Sequence, residues 1–169
     1  MNKILLLALF SAAILLTACS KPAYDEVLIQ GDASTPLPDV VRMSRLFDSV
    51  DVVSSSVEEF SVKGKTGFRY LFVVQPETVI FAPMDGSISV ITQEGVRVIT
   101  IENEEFIAVI LTEGLYTYKS DRVSTTMPFA KSGNALPDKK GASVSAVFYH
   151  KGSGQSVPPG IMRDPQYKP

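Results

Sequence analysis

Residues with catalytic or metal-binding chemistry are scarce in this sequence, which has one histidine, His150, and one cysteine, Cys19. A single cysteine excludes an intramolecular disulfide and a cysteine-based metal cluster. Zinc sites take several histidine or cysteine ligands, so a hydrolytic zinc centre would depend mostly on carboxylates. The sequence contains no phosphate-binding loop, dinucleotide fingerprint or Gly-x-Ser-x-Gly elbow. We therefore predict no catalytic residues, no metal site and no enzymatic activity.

Two further groups of residues could be read as functional sites, namely the serines near His150 and an acid-rich bend, but each also has a purely structural explanation. Ser143 and Ser145 precede His150, but serines are so common here that this spacing does not indicate a nucleophile and its base. We predict that His150 is an exposed residue at the end of a strand. The acid-rich bend at residues 102–105 matches no calcium-binding loop. It is typical of a solvated hairpin tip.

The first eighteen residues have the layout of an export signal. One cation, Lys3, precedes an apolar run from Ile4 to Leu16 that only Ser11 interrupts. The run is shorter than the about 20 apolar residues that span a bilayer core. We predict that residues 1–18 are a cleavable signal peptide rather than an uncleaved anchor helix.

The end of that segment, Leu16-Thr17-Ala18-Cys19, resembles the lipobox of bacterial lipoproteins. The resemblance implies that the Cys19 thiol takes a diacylglycerol, that cleavage precedes it, and that its amine receives an acyl chain such as palmitate. No other cofactor is expected. The residue after the cysteine is Ser20. In lipoproteins an Asp at that position implies retention in the inner membrane, so the resemblance favours the periplasmic face of the outer membrane. The alternative is an ordinary signal peptide that ends near a cysteine.

The charge of the chain excludes several classes of partner. The sequence has 16 basic and 18 acidic residues, and loss of Lys3 with the signal leaves a net side-chain charge of −3 on 151 residues. This balance provides no basic field for nucleic acid and no polycationic face for anionic lipid. Membrane attachment would therefore come from the lipid on Cys19.

The segment before the predicted domain contains a tether and a helix. Prolines and turn-forming residues dominate residues 19–38, which we interpret as the lipidated N-terminus and its tether. Asp39 is a plausible helix N-cap after Pro38. The apolar residues Val40, Met43, Phe47 and Val50 then repeat at three-to-four spacing, which predicts one short helix packed on a sheet.

After Val52 the pattern is that of short strands separated by turn residues. It predicts a mainly-β, single antiparallel sheet or sandwich domain over residues 39–160, and a surface-lying or frayed tail over 161–169. The predicted strands are 60–62, 68–73, 78–82, 87–91, 96–101, 106–111, 115–118 and 144–149. Residues 119–142 are predicted to be a long loop with a short strand near 128–130.

Tyr116 and Tyr118 alternate with Thr117 along one predicted strand, so both rings should point to one face. They form a possible binding face for a glycan or peptide. The alternative is that they are the rim of the hydrophobic core.

The segment Thr78–Ile88, a strand followed by an Ala-Pro-x-x-Gly turn and a second strand, resembles the opening of LytM/M23-type domains. Gly154–Pro159 is similar to their Gly-x-x-Val-x-Pro closure, so the resemblance covers about residues 67–160. The positions of that family's zinc ligands are occupied by Gly67, Leu71, Ser145 and Val147. The resemblance therefore implies a degenerate domain that regulates or scaffolds cell-wall hydrolases without zinc chemistry.

These observations predict a lipid-anchored envelope lipoprotein that acts as a non-catalytic binding or adaptor module. The expected partner is an envelope protein or peptidoglycan, contacted through edge strands, the Tyr116/Tyr118 face or the 119–142 loop. A cell-wall hydrolase of M23 type is the disfavoured alternative because the zinc ligands are missing. A structural lipoprotein of an envelope or secretion complex is the third.

Overall fold

The alternating apolar pattern after residue 52 folds into ten strands in the computed structural model, which describes residues 31–62, 65–134 and 141–168. Three short 3-10 helices, Ser49–Asp51, Pro159–Ile161 and Pro165–Tyr167, complete the regular structure of the described residues. The strands are β1 (Val52–Val62), β2 (Lys65–Val74), β3 (Val79–Phe81), β4 (Gly86–Gln93), β5 (Val96–Glu102), β6 (Phe106–Thr112), β7 (Arg122–Val123), β8 (Pro128–Lys131), β9 (Ala142–His150) and β10 (Gln155–Ser156). The prediction of a mainly-β domain is confirmed.

Eight of these strands form one antiparallel sheet. Its order is β1-β2-β9-β6-β5-β4-β7, with β10 paired to β9. β1 pairs with β2, the strands β4, β5 and β6 pair in chain order, and β9 lies between these two groups. The β4–β5 loop has two residues, Glu94 and Gly95, both at positive φ; this is the geometry that a tight hairpin requires. β3 and β8 form a separate two-stranded sheet.

The main core lies between one face of the large sheet and a covering layer. The sheet contributes an aromatic group in which the ring centroids of Tyr70 and Phe148 are 5.5 Å apart. The covering layer consists of three segments, namely residues 41–47, the β3–β8 pair and the C-terminal residues 162–167. The domain is therefore closed by segments that are distant in sequence.

The predicted helix from Asp39 to Val50 is wrong. The segment is extended: Val41 bridges to Met162 in parallel, and only Ser49–Asp51 forms a 3-10 turn. Val40 and Val50, expected on the buried helix face, are 55% and 85% exposed. A helix this short is marginal alone, and hydrogen bonds to distant backbone replace its internal ones.

The tail is also not a surface appendage. Tyr167 is 1% exposed and its ring lies 5.1 Å from that of Phe148. Met162 is buried beside it in the same core. The boundary at residue 161 therefore does not separate the domain from its C-terminus, because residues 162–167 form part of the core.

Two other segments differ from the sequence prediction, and the first is β1, which begins at Val52 and not at residue 60. Residues 115–118 do not form a strand but contact β8 through a Tyr116–Ala130 bridge. The short strand predicted near 128–130 is confirmed as β8. The helical segments of the described residues include none that could span a bilayer.

Candidate binding groove

Strand pairing separates the side chains of the large sheet into two faces, because neighbouring residues of a strand point to opposite sides. Tyr70, Ala146 and Ile110 follow one another in register across β2, β9 and β6, and all belong to the main core. One residue further on, Leu71, Ser145 and Leu111 are in register on the other side. We call this second side the open face.

The open face has an apolar cluster of its own. Val98, Val109 and Leu111 are buried there although they lie outside the main core. The partly buried residues packed against them are Val96, Ile107 and Tyr149. Val98, Val109 and Leu111 are each less than a tenth exposed, so the apolar surface of this face comes from the partly buried residues around them.

A groove of about 360 Å³ borders this cluster, which is within the usual range for ligand sites. Hydroxyl groups line it from the first and ninth strands, and aliphatic groups line it from strands two and six. These residues are Ser54, Ser56, Ser143, Ser145, Leu71 and Leu111. In one row, Ser56, Leu71, Ser145 and Leu111 follow each other directly across four strands. The groove thus combines hydrogen-bonding groups with an apolar floor.

Charge lies at the borders of the groove. The Arg69 guanidinium is 3.7 Å from the Glu58 carboxylate and sits 5.2 Å from the centre of the Phe60 ring. Glu113 lines the groove as well. The groove therefore has both signs of charge at its borders.

His150 cannot act as a base for the groove serines. It belongs to the face of β9 that points into the core and is 9% exposed, so the prediction of an exposed strand-end residue is wrong. Its Nδ1 lies 3.0 Å from Ser153 Oγ, and its ring contacts Phe106. Ser143 and Ser145 point to the open face. The histidine therefore stabilises the turn after β9 instead of taking a proton from either serine.

The four positions aligned with zinc ligands share the open face. Leu71 and Ser145 are register partners, and Gly67 and Val147 lie at even spacing from them along β2 and β9. None of these side chains is a zinc ligand. Within residues 31–62, 65–134 and 141–168, no three His, Cys, Asp or Glu side chains converge as a metal site would require.

The acid-rich bend is the tip of the β5–β6 hairpin, as predicted. Asn103 Oδ1 accepts hydrogen bonds from the backbone N–H groups of Glu105 and Phe106, at 2.9 and 2.7 Å. Glu102 forms an ion pair with Lys151. These contacts are structural and satisfy the turn.

Tyr116 and Tyr118 do share a side of their segment. Both rings are half-buried and pack against the main core. Burial raises the pKa of Tyr116 above its usual value, and the neighbouring Tyr118 adds to that rise. This is the arrangement expected of a core rim, and the use of the pair as a binding face stays a prediction.

Cys19 and its lipobox neighbours Leu16, Thr17 and Ala18 lie outside the described residues. The part of the tether that is described packs on the domain: the Asp32 N–H donates to the Gly152 carbonyl at 2.9 Å. A side chain at Gly31 would collide with the backbone of Gly154. The chain therefore enters the domain at the turn between β9 and β10.

No family model matches the sequence, and no curated protein matches it. The groove was not predictable from the sequence because its rows depend on strand order, and β2, β9 and β6 become neighbours only in the folded sheet. The sequence signal for it was the alternation in Ser143-Val144-Ser145, which puts both hydroxyls on one face.

Proposed function

We propose that this chain is a lipid-anchored envelope lipoprotein whose domain binds a partner in the open-face groove without catalysing a reaction. The observation that carries the proposal is the groove itself, which is lined by four serines and two leucines and borders a buried apolar cluster that includes Leu111. A site with this lining can hold an extended peptide or the peptide part of peptidoglycan. His150 is not available as a base for these hydroxyl groups, because its side chain faces the core.

The lipobox-like segment supplies the location in this proposal. Acyl chains on Cys19, at about 0.8 kcal/mol per buried methylene, would hold the protein at the periplasmic face of the outer membrane. Cys19 precedes Gly31 by 12 residues, which reach at most about 40 Å when extended. The groove would therefore meet partners close to the membrane, and we propose an envelope protein or peptidoglycan as the partner.

Filling the groove tests its role. Ser145→Arg places a long charged side chain in the groove, and Ser89→Arg makes the same change at an exposed position of β4 on the same face. We expect Ser145→Arg to reduce partner capture at least about fivefold, which corresponds to about 1 kcal/mol. The measurement is the amount of envelope protein crosslinked to each variant in cells, together with binding of each purified variant to isolated peptidoglycan.

Ser89→Arg should behave like the unaltered protein in both assays, since it adds the same charge outside the groove. Equal capture by the two variants would contradict the groove as the binding site. Release of soluble muropeptides by the purified protein would contradict the non-catalytic role.

A further inference from the structure

The first strand is an open edge of the large sheet. β1 has eleven residues, pairs with β2 on one side, and ends the strand order on the other. Most of its side chains are exposed between Val53 and Ser61. In an antiparallel strand, every second residue directs its N–H and C=O away from its partner. Within the described residues no strand pairs with the outer side of β1, which therefore presents the backbone groups of about five residues to a further strand.

Sheets usually protect such an edge with lysines, prolines, short strands or bulges. β1 has no lysine, arginine or proline, and its one irregularity lies at its start, between Val52 and Ser54. The other edge differs, because β7 covers Gly86 and Ser87 of β4. The uncovered remainder of β4 is shorter and has no acidic residue. β1 is thus the longer of the two edges and the acidic one.

The charge on β1 defines the partner. Glu58 and Glu59 are adjacent, so their carboxylates point to opposite faces of the sheet. Glu58 faces Arg69 of β2, while Glu59 is exposed and makes no ion pair among the described residues. An added strand with cations would find a carboxylate on either face, since opposite charges on paired strands attract. A second copy of β1 would instead bring acidic strands together.

The edge is continuous with the groove. Ser54 and Ser56 of β1 line the groove, and their neighbours across the sheet are Val73 and Leu71. A strand placed beside β1 would put every second side chain at the rim of the groove. Backbone hydrogen bonds would then supply affinity, and the groove would read alternate side chains.

We infer that β1 accepts an extended, cationic segment of a partner protein as an additional strand of the large sheet. This inference rests on the proposed binding role, and it adds the conformation and charge of the bound segment. A basic segment in another envelope protein fits this surface, and the glycan strands of peptidoglycan do not.

The probe is a short synthetic peptide that alternates lysine with threonine, with a glutamate–threonine peptide as the comparison. The full-length lipoprotein in detergent micelles is titrated into each labelled peptide, and binding is followed by fluorescence anisotropy. We expect the lysine peptide alone to bind, more weakly at high salt. Glu59→Lys should weaken this binding about fivefold, and Glu104→Lys, the same change at the β5–β6 tip, should not. Infrared spectra with ¹³C carbonyls in the bound peptide should show coupling to a sheet.

Several results would overturn the inference. They are equal binding by the Glu59→Lys and Glu104→Lys variants, equal binding of the two peptides, or a bound peptide without sheet coupling. If the lipoprotein forms a dimer and Glu59→Lys abolishes that dimer, the edge binds a second copy of the chain instead of a partner protein. If Ser145→Arg reduces partner capture while Glu59→Lys does not, the groove function stands and the strand addition fails. If neither variant reduces capture, both fail.

Discussion

At the scale of single residues, two buried tyrosines stabilise the seam between the termini of the domain. The Tyr167 hydroxyl donates to the Ser44 carbonyl at 2.5 Å, and the Tyr70 hydroxyl donates to the Val157 carbonyl at 2.9 Å. Burial raises the pKa of both phenols well above their usual value, and the charge of Asp164 adds to the rise at Tyr167. At alkaline pH the folded protein therefore keeps both phenols neutral, whereas the same tyrosines would ionise in the unfolded chain.

The consequence is a loss of stability in alkali. Because the folded pKa of these tyrosines is raised, their contribution is fully present below the unfolded pKa near 10 and declines as pH rises above it. Tyr167→Phe keeps the ring but leaves the Ser44 carbonyl without its donor, so we expect it to lower the free energy of unfolding at neutral pH by about 1–3 kcal/mol. The variant should also lose less of its remaining stability above pH 10. Urea unfolding over a pH series measures both effects.

Tyr118→Phe is the control for that variant, because Tyr118 is half-buried at the core rim. It should change the free energy of unfolding by less than about 0.5 kcal/mol. An unchanged alkaline slope in Tyr167→Phe would show that Tyr167 ionises equally in both states.

At the scale of elements, the sequence predicts the elements whose structure depends on neighbouring residues, and it fails for those whose structure depends on distant contacts. The β4–β5 hairpin is predictable because Glu94-Gly95 suits a two-residue turn and the flanking strands alternate. The extended structure of residues 39–50 is not predictable in this way, because the spacing of their apolar residues, taken alone, fits a helix. Their backbone partners lie far along the chain, including Ile161, which accepts a hydrogen bond from Val41 at 2.8 Å. Tertiary contacts of this kind override helix propensity.

Gln166 is the residue that holds this extended segment against the tail. Its Oε1 accepts from the N–H groups of Leu46 at 2.6 Å and Phe47 at 3.2 Å, and its Nε2 donates to the Phe47 carbonyl at 3.0 Å. Gln166→Ala should cost about 1–3 kcal/mol, since it leaves buried backbone groups unpaired. Amide hydrogen exchange at Leu46 and Phe47 should accelerate, while Gln155→Ala at an exposed position should leave it unchanged. Unaltered exchange in Gln166→Ala would exclude this role.

At the scale of the whole molecule, the two faces of the large sheet have different tasks. One face is covered by residues 41–47, the β3–β8 pair and the tail, and the other presents the groove. The sequence predicts most of the strands that carry both faces, but it misses residues 52–59 of β1 and does not predict the order β2-β9-β6 that assembles the groove. The proposed anchor is the opposite case: the argument for it comes entirely from residues 1–20 of the sequence, and the folded domain adds only the point where the chain enters it.

The anchor is therefore best tested apart from the domain. Cys19→Ala removes the only thiol, so we expect loss of acyl labelling and accumulation of the uncleaved precursor. Thermal unfolding of the domain should be unchanged, because the described core begins at Val41. Ser20→Ala is the matched control and should be labelled and cleaved normally, since it leaves Leu16–Cys19 intact. Labelling with radioactive palmitate and the mass of the processed protein measure the outcome. Normal processing of Cys19→Ala would refute the lipobox, whereas a destabilised domain would show that the lipidated segment also contributes to folding.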